Sequence, residues 1–390
     1  MNLGSKPKGN LLESTQAGTL IPGALSCGLQ RIRATAQAKK GERFTALLHH
    51  LSVEMLGDAY RHVNRQAAVG VDAITWSSYR DELRANIVDL HTRVHTGRYR
   101  APPARRVWIP KADGQQRPLS VAALEDKIVQ QGIAWMVNAM YETDFAGFSS
   151  GFRPGRSQRH ALDALWIGLT RTPVNWVVDA DIQGFFDALD HQCLMRFLAK
   201  RINDPRILRL IQKWLRAGVC EKGQWSETMQ GTPQGSVISP LLANIYLHDV
   251  LDCWIEDCRK QEDIGNVIIV RYADDFVVGF QRQEDAVRFM AALRMQMQVY
   301  HLRLHPEKTR LIECGRFAAS HRERRDQEKV EIFDFLGFTL IWRKRQSDGG
   351  FTVWRHSIRK RLSAKVAAKM GPRRLNLEKR LSCFRRHCAP

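Results

Sequence analysis

Apolar positions recur at helical spacing from Phe44 to about Val94, interrupted once by "AVGVDAIT" (68–75). The pattern then changes. "ARRVWIPKADGQQRPLSV" (104–121) alternates and turns, which predicts two strands around an Asp113-Gly114 hairpin signal. "LEDKIVQQGIAWMVNAMY" (124–141) carries the apolar stripe of a helix. "NWVVDADIQGFF" (175–186) starts as a buried strand and runs toward a helix start near Asp190. Helices are predicted over 191–202, 205–217, 238–257 and 284–302, a strand pair over 265–280 and another over 332–342. Residues 1–42 are polar and weakly patterned, which predicts a flexible leader. No internal repeat is present. The sum is an α+β pattern with short strands in hairpins.

Composition narrows the class. The 390 residues suffice for two or three packed units, and 44% hydrophobic content supports a real core. The net charge of +20 implies a polyanionic partner. From Arg343 onward, fifteen Lys and Arg face two acids, a net of +13, leaving +7 for the preceding 342 residues. That tail is either a solvated, partly helical segment or a salt-sensitive contact to phosphate backbone. No stretch approaches the roughly 18–20 apolar residues of a spanning helix, and the first residues lack the apolar core of a secretory signal. Eight scattered cysteines read as reduced thiols, consistent with a cytoplasmic, nucleic-acid-associated protein.

The candidate chemistry lies in "VRYADDFVVGF" (270–280), where Ala273, Asp274 and Asp275 fall at the tip of a predicted hairpin. Aspartate favours turns, so Asp-Asp there has an ordinary structural reading. "WVVDADIQGFFD" places Asp181 at the end of another apolar strand. If the two strands are neighbours, three carboxylates meet and raise one another's pKa. Mg²⁺ ions, which take hard oxygen ligands at about 2.0–2.1 Å, would relieve that repulsion. Two such ions about 3.5–4 Å apart can activate a hydroxyl and stabilise a leaving pyrophosphate. His191 reads as a cap or packing residue, and His49, His50 and His305 have no partner pattern.

"YADD", "DIQGFFD", "GTPQGSVISPLLANIYLH" (231–248) and "FLGF" (335–338) together resemble reverse transcriptases. "QRPLSVAALEDKIVQ" (116–130), "GFRPGRSQRHAL" (151–162) and "LHPEKTR" (304–310) bring the resemblance closer to those encoded by bacterial group II introns. It spans roughly residues 45–345 in seven ordered blocks. The resemblance implies a right-hand polymerase: a leader over 1–42, fingers with an N-terminal extension over 43–174, a palm over 175–345, and a basic partial thumb or tail over 346–390. It implies that Asp181, Asp274 and Asp275, with the Ile182 carbonyl, hold two Mg²⁺, Mn²⁺ being the alternative ion. Phe185 or Phe186 would lie under the incoming sugar; the other reading for both is core packing. Gln234 would line the nucleotide pocket. Lys111 and Arg117, helped by Arg105, would hold the triphosphate, and Arg153 and Arg156 would contact nucleic-acid phosphates. Lys308 would support either the hairpin or a phosphate.

Two features depart from the family pattern. Ser236 stands where a second glycine is usual, and only about 45 residues follow "FLGFTLIW", with no paired-cysteine nuclease motif. The expected function is RNA-directed DNA synthesis from dNTPs on an RNA template with a DNA or RNA primer, with structured intron RNA as a further partner and no membrane. The competing expectations are a non-catalytic, maturase-like RNA-binding splicing cofactor and a truncated remnant that needs a partner chain.

Overall fold

A computed structural model describes residues 27–110, 116–260, 265–316, 318–326, 330–345 and 350–358. The Asp113-Gly114 turn signal, Lys111 and the tail beyond Ile358 lie outside them.

The described chain opens with α1 (Cys27–Ala38), a 3₁₀ turn at Leu48–His50, α2 (Val53–His62), α3 (Trp76–Arg80) and α4 (Leu83–His95). Helix α1 corrects the expected leader over Cys27–Ala38, residues 1–26 lying outside the described ones: Leu29, Ile32 and Ala36 form a buried stripe at helical spacing. The hairpin β1 (Ala104–Pro110) and β2 (Gln116–Val121) pairs antiparallel, Arg105 opposite Val121 and Ile109 opposite Arg117. Then comes α5 (Leu124–Tyr141), the central helix of the molecule; only Glu125 among its residues escapes full burial. Helix α6 (Gln158–Arg171) follows, capped by the Ser157 side chain.

The expected palm begins with β3 (Trp176–Ala180), α7 (Phe185–Ala188), α8 (His191–Arg201) and α9 (Pro205–Arg216). Asp190 caps α8, and Asp204 with Pro205 starts α9, so both helices begin with ordinary N-terminal chemistry. Short strands β4 (Val219–Glu221) and β5 (Gln224–Ser226) extend the first hairpin into a sheet of order β2-β1-β4-β5. Helix α10 (Ser239–Leu247) runs through a π-helical turn (His248–Asp252) into α11 (Cys253–Arg259). Next are β6 (Val267–Tyr272), β7 (Asp275–Phe280), α12 (Gln283–Val299), β8 (Arg310–Glu313) and α13 (Ala318–Arg324). The described chain closes with β9 (Phe333–Phe335), β10 (Phe338–Lys344) and β11 (Phe351–Ser357). Because β10 pairs with β11 over seven positions, the start of the expected tail belongs to a sheet, not to a solvated segment.

The second four-stranded sheet has the order β6-β7-β3-β8 and is antiparallel throughout. Its period-two alternation feeds two cores. Val178, Ala180, Ile269, Phe276, Val278 and Phe280 face the large core built on the helices. Val177, Val270, Val277 and Ile312 face a smaller one closed by α6 and the β9–β11 sheet. Both faces are covered, which explains why these strands read as continuous apolar runs.

Candidate active site

Carboxylates collect where this apolar sheet ends. Tyr272 pairs with Asp275, leaving Ala273 and Asp274 to make the β6–β7 turn, with Ala273 in the left-handed region at φ 58°. Strand β3 lies against β7 with Ala180 opposite Phe276. The next residue, Asp181, therefore leaves the sheet at the same end as Asp275. Strands β3 and β7 are neighbours, which was the condition for the carboxylates to meet. Past the sheet, the Asp181 carbonyl accepts from the His305 N–H (2.8 Å), and the Gln183 N–H donates to the Arg303 carbonyl (2.8 Å). These bonds flank an Ile182–Leu304 bridge. In such a pair the Ile182 carbonyl points away from the 303–305 segment, toward the hairpin side.

Burial pushes the half-buried Asp274 carboxyl up, and the neighbouring Asp181 charge adds to this; Arg117 and Arg271 act the other way. Lys308 Nζ lies 2.7 Å from Asp181 Oδ2. That contact raises the ammonium, with Asp275 and Asp274 contributing in turn. Two residues back, burial pushes Asp179 to about 6, opposed by Arg310 at 3.4 Å. The convergence expected of the three aspartates is incomplete: among the described residues no group of three His, Cys, Asp or Glu is placed to hold a metal ion. Like charges repel, and an ammonium, not a fourth carboxylate, sits among them. The donor chemistry nevertheless suits a hard divalent cation, since carboxylate oxygens and backbone carbonyls are the ligands such ions take.

The β1–β2 hairpin reaches this end through Arg117. Its Nε donates to Gln234 Oε1 (3.0 Å), and Gln234 Nε2 donates to Asp187 Oδ2 (3.0 Å). The Gln234 backbone carbonyl accepts from the Ser120 N–H (2.6 Å). Gly235, at φ 105°, lies so close that a Cβ would fall 2.9 Å from the Ser120 carbonyl oxygen. The "TPQG" loop thus bridges the first sheet and α7. Ser236 is not in the left-handed region; its hydroxyl donates to Gln130 Oε1 (2.7 Å) on α5, so the departure from glycine adds a buried bond. His191 packs against the same loop, its Nε2 2.6 Å from the Gly231 carbonyl oxygen. Phe185 is 2% exposed and belongs to the large core, whereas Phe186 is only half-buried, so the two phenylalanines separate by burial.

Other expected residues lie differently. Arg105 donates through Nε and Nη2 to the Val69 carbonyl (3.0 and 2.8 Å), which ties it to the 68–72 segment instead of the aspartates. Arg153 is corrected outright. It is 5% exposed, ion-paired with Glu142 (2.7 Å), and donates to the Ala146 and Ser149 carbonyls (both 2.7 Å). A buried guanidinium with four of its five N–H donors engaged in this way is not presented to a phosphate. Arg156 is exposed, with one bond to the Gly147 carbonyl (2.9 Å). Two residues escaped sequence reasoning. Asp187 orients the Gln234 amide, and nothing in its short helix signals that. Arg271 is fully buried beneath the turn; a charged residue inside an otherwise apolar strand was its available signal.

The reverse transcriptase (RNA-dependent DNA polymerase) family matches residues 109–340. Protein YkfC of Escherichia coli is 32% identical over 315 residues, covering 73% of this chain and 78% of YkfC. The group II intron-encoded protein LtrA of Lactococcus lactis is 35% identical over 240 residues, 60% of this chain and 39% of LtrA. The putative COX1/OXI3 intron 2 protein of Saccharomyces cerevisiae is 38% identical over 176 residues, 45% of this chain and 20% of that protein. The chain thus spans most of YkfC but well under half of either intron protein. A telomerase from Candida tropicalis truncated from its C-terminal domain matches with a TM-score of 0.48 at 13% identity, over 72% of this chain and 60% of that one.

Proposed function

This chain belongs to the reverse transcriptase (RNA-dependent DNA polymerase) family, with the right-hand polymerase fold of that family, and we propose that it is an RNA-directed DNA polymerase of the group II intron type. The observation that carries this reading is the meeting of Asp181 and Asp274 beside a cation from each flank, Lys308 and Arg117. In the proposed reaction a primer 3′-hydroxyl attacks the α-phosphate of a dNTP held against an RNA template. Asp181, Asp274, Asp275 and the Ile182 carbonyl would hold two Mg²⁺, or Mn²⁺. Bound divalent ions would lower the pKa of the attacking hydroxyl and neutralise charge developing on the pyrophosphate. Arg117 would exchange its Gln234 bond for the triphosphate, a planar fork suited to phosphate oxygens. Gln234, oriented by Asp187, would line the base side of the pocket. Phe186 is the half-exposed aromatic available beneath the sugar, where it would exclude a 2′-hydroxyl. Arg156 would meet backbone phosphate. Among the described residues no helix is long and apolar enough to cross a membrane.

Primer extension on an RNA template with Mg²⁺ and dNTPs, beside Asp274→Ala/Asp275→Ala, tests the proposal. Extension by the unmodified protein alone supports it. Absence of extension with salt-sensitive binding of intron RNA retained replaces it with the non-catalytic splicing-cofactor reading, which the charge of +20 alone would sustain.

A further inference from the structure

Arg271 occupies the next-to-last position of β6, two residues before Ala273. Both Arg271 and Asp252 are 0% exposed. Arg271 Nε donates to Asp252 Oδ1 (2.7 Å) and Nη2 to Asp252 Oδ2 (2.5 Å). Nη1 donates to Asn244 Oδ1 (3.1 Å) and to the Ala273 carbonyl (2.9 Å). Burying such a pair is costly, and apolar residues of similar volume commonly serve stability as well or better. The sheet and helices around it therefore gain little from an ion pair as such. The partner that sets this arginine apart is the Ala273 carbonyl. Ala273 is a non-glycine residue in the left-handed region, a conformation that persists only where its surroundings enforce it.

The enforcement comes from two sides. Above the turn, Gly151 lies so close that a Cβ there would fall 2.2 Å from the Ala273 nitrogen. Asn244 joins the sides: its Nδ2 donates to the Gly151 carbonyl (2.6 Å) while its Oδ1 accepts from Arg271. Asp252 ends the π-helical turn (His248–Asp252) between α10 and α11, a local widening of the kind often kept at functional sites. The Arg271 backbone is fixed as well, its N–H bonding to the Phe148 carbonyl (3.0 Å) and its carbonyl to the Ser150 N–H (2.9 Å).

We propose that Arg271, clamped by Asp252 and Asn244, is a positioning residue: it fixes the peptide between Ala273 and Asp274 and thereby aims the Asp274 carboxylate. The inference deepens the polymerase reading and rests on it only for its activity measurement.

The test separates positioning from stability. Arg271→Met alone leaves a buried Asp252 without its partner and should lower the Tm. The double variant Arg271→Met/Asp252→Leu removes both charges and should regain most of that loss. A crystal structure of the double variant should show Ala273 out of the left-handed region. Mn²⁺ binding, followed by EPR titration of the free protein, should weaken about tenfold, and the Mg²⁺ concentration for half-maximal primer extension should rise by a similar factor. Asn244→Leu, a milder lesion, provides the same readouts if the double variant does not fold, with a smaller weakening of Mn²⁺ binding. An unmoved Ala273 overturns the proposal, as does unchanged Mn²⁺ binding in a folded variant. A parent protein that binds Mn²⁺ but extends no primer defeats the polymerase reading, while the comparison of variants still decides the role of Arg271.

Discussion

Burial pushes up the carboxyls of both Asp126 and Asp274, but the two meet partners of different kinds. Asp126, on α5, is 2% exposed. It accepts from the Tyr99 hydroxyl, which in turn accepts from Trp214 Nε1 (3.0 Å). The adjacent Lys127 ammonium is spent on the Ala68 carbonyl (2.7 Å). That knot ties the segment after α4 to α5 and α9. Around Asp274 the charges are another carboxylate, the exposed Arg117 and the buried Arg271, and the Lys308 side chain beside Asp181 is 63% exposed. A cation in that position can swing away when a ligand arrives at little cost, because water resolvates it. Raised carboxyls alone do not mark a reactive centre. The exposed countercharges, Lys308 and Arg117, separate an acid available for chemistry from a structural one.

The largest expected effect follows directly. Asp274→Ala should reduce primer extension by roughly a thousandfold or more while leaving the Tm unchanged or slightly raised, since it relieves a like-charge contact. A loss of stability parallel to the loss of rate would erase the distinction between the two centres.

The same contrast recurs within the arginines. Arg153→Ala would leave Glu142 unpaired and the bonds to the Ala146 and Ser149 carbonyls unmade, and should cost about 3 kcal/mol in denaturant unfolding. RNA affinity, measured where the variant remains folded, should hold. A fall in affinity without a fall in stability would restore Arg153 to the nucleic-acid contact that the sequence suggested.

Asp126 provides a pH test. Its folded pKa of about 7 lies above the ordinary aspartate value of 3.8, so the folded state binds more protons between them. Its contribution to stability is fully present below about pH 4 and is lost as pH rises toward 7. Asp126→Asn imitates the protonated acid and still accepts from Tyr99. It should therefore raise the Tm at pH 8 by a few degrees and change it little at pH 4. Primer extension at pH 8 and 25 °C should be unaffected. An equal shift at both pH values would show that Asp126 is charged throughout.

What the sequence displayed and what it concealed follow the same physical line. Helix α5 was legible to its end residues because eighteen positions repeat one pattern without interruption. The β6–β7 hairpin was legible because its pairing is local. Asp181 could be placed beside it because β3 ends as abruptly as β6 does. Helix α1 was hidden: Leu29, Ile32 and Ala36 are a sparse stripe in polar surroundings, and only packing against α5 makes them a helix. Strand β8 is four residues long and exists through its pairing with β3, about 130 positions away. Arg153 and Arg156 sit alike among glycines in "GFRPGRS", yet one is folded back onto Glu142 and the Ala146 and Ser149 carbonyls while the other stays in solvent. Local sequence cannot rank two such neighbours, because burial is decided by the chain they fold against. Arg271 and Asp187 act through partners 19 and 47 residues away, with the same consequence.

The smallest expected effect tests that neighbouring pair most sharply. Arg156 is exposed and holds a single carbonyl, so Arg156→Ala should leave the Tm unchanged. If it meets a phosphate, the loss removes one counterion-releasing contact. Affinity for RNA should fall modestly and equally across sequences, and the slope of log affinity against log salt should shrink by about 1. Arg153→Ala should alter neither slope nor sequence preference. An unchanged slope for Arg156→Ala would move the phosphate contact off "GFRPGRS" altogether. The exposed cations beside the aspartates, Lys308 and Arg117, would then be the described positive charges to test next for a hold on nucleic acid at this end of the molecule.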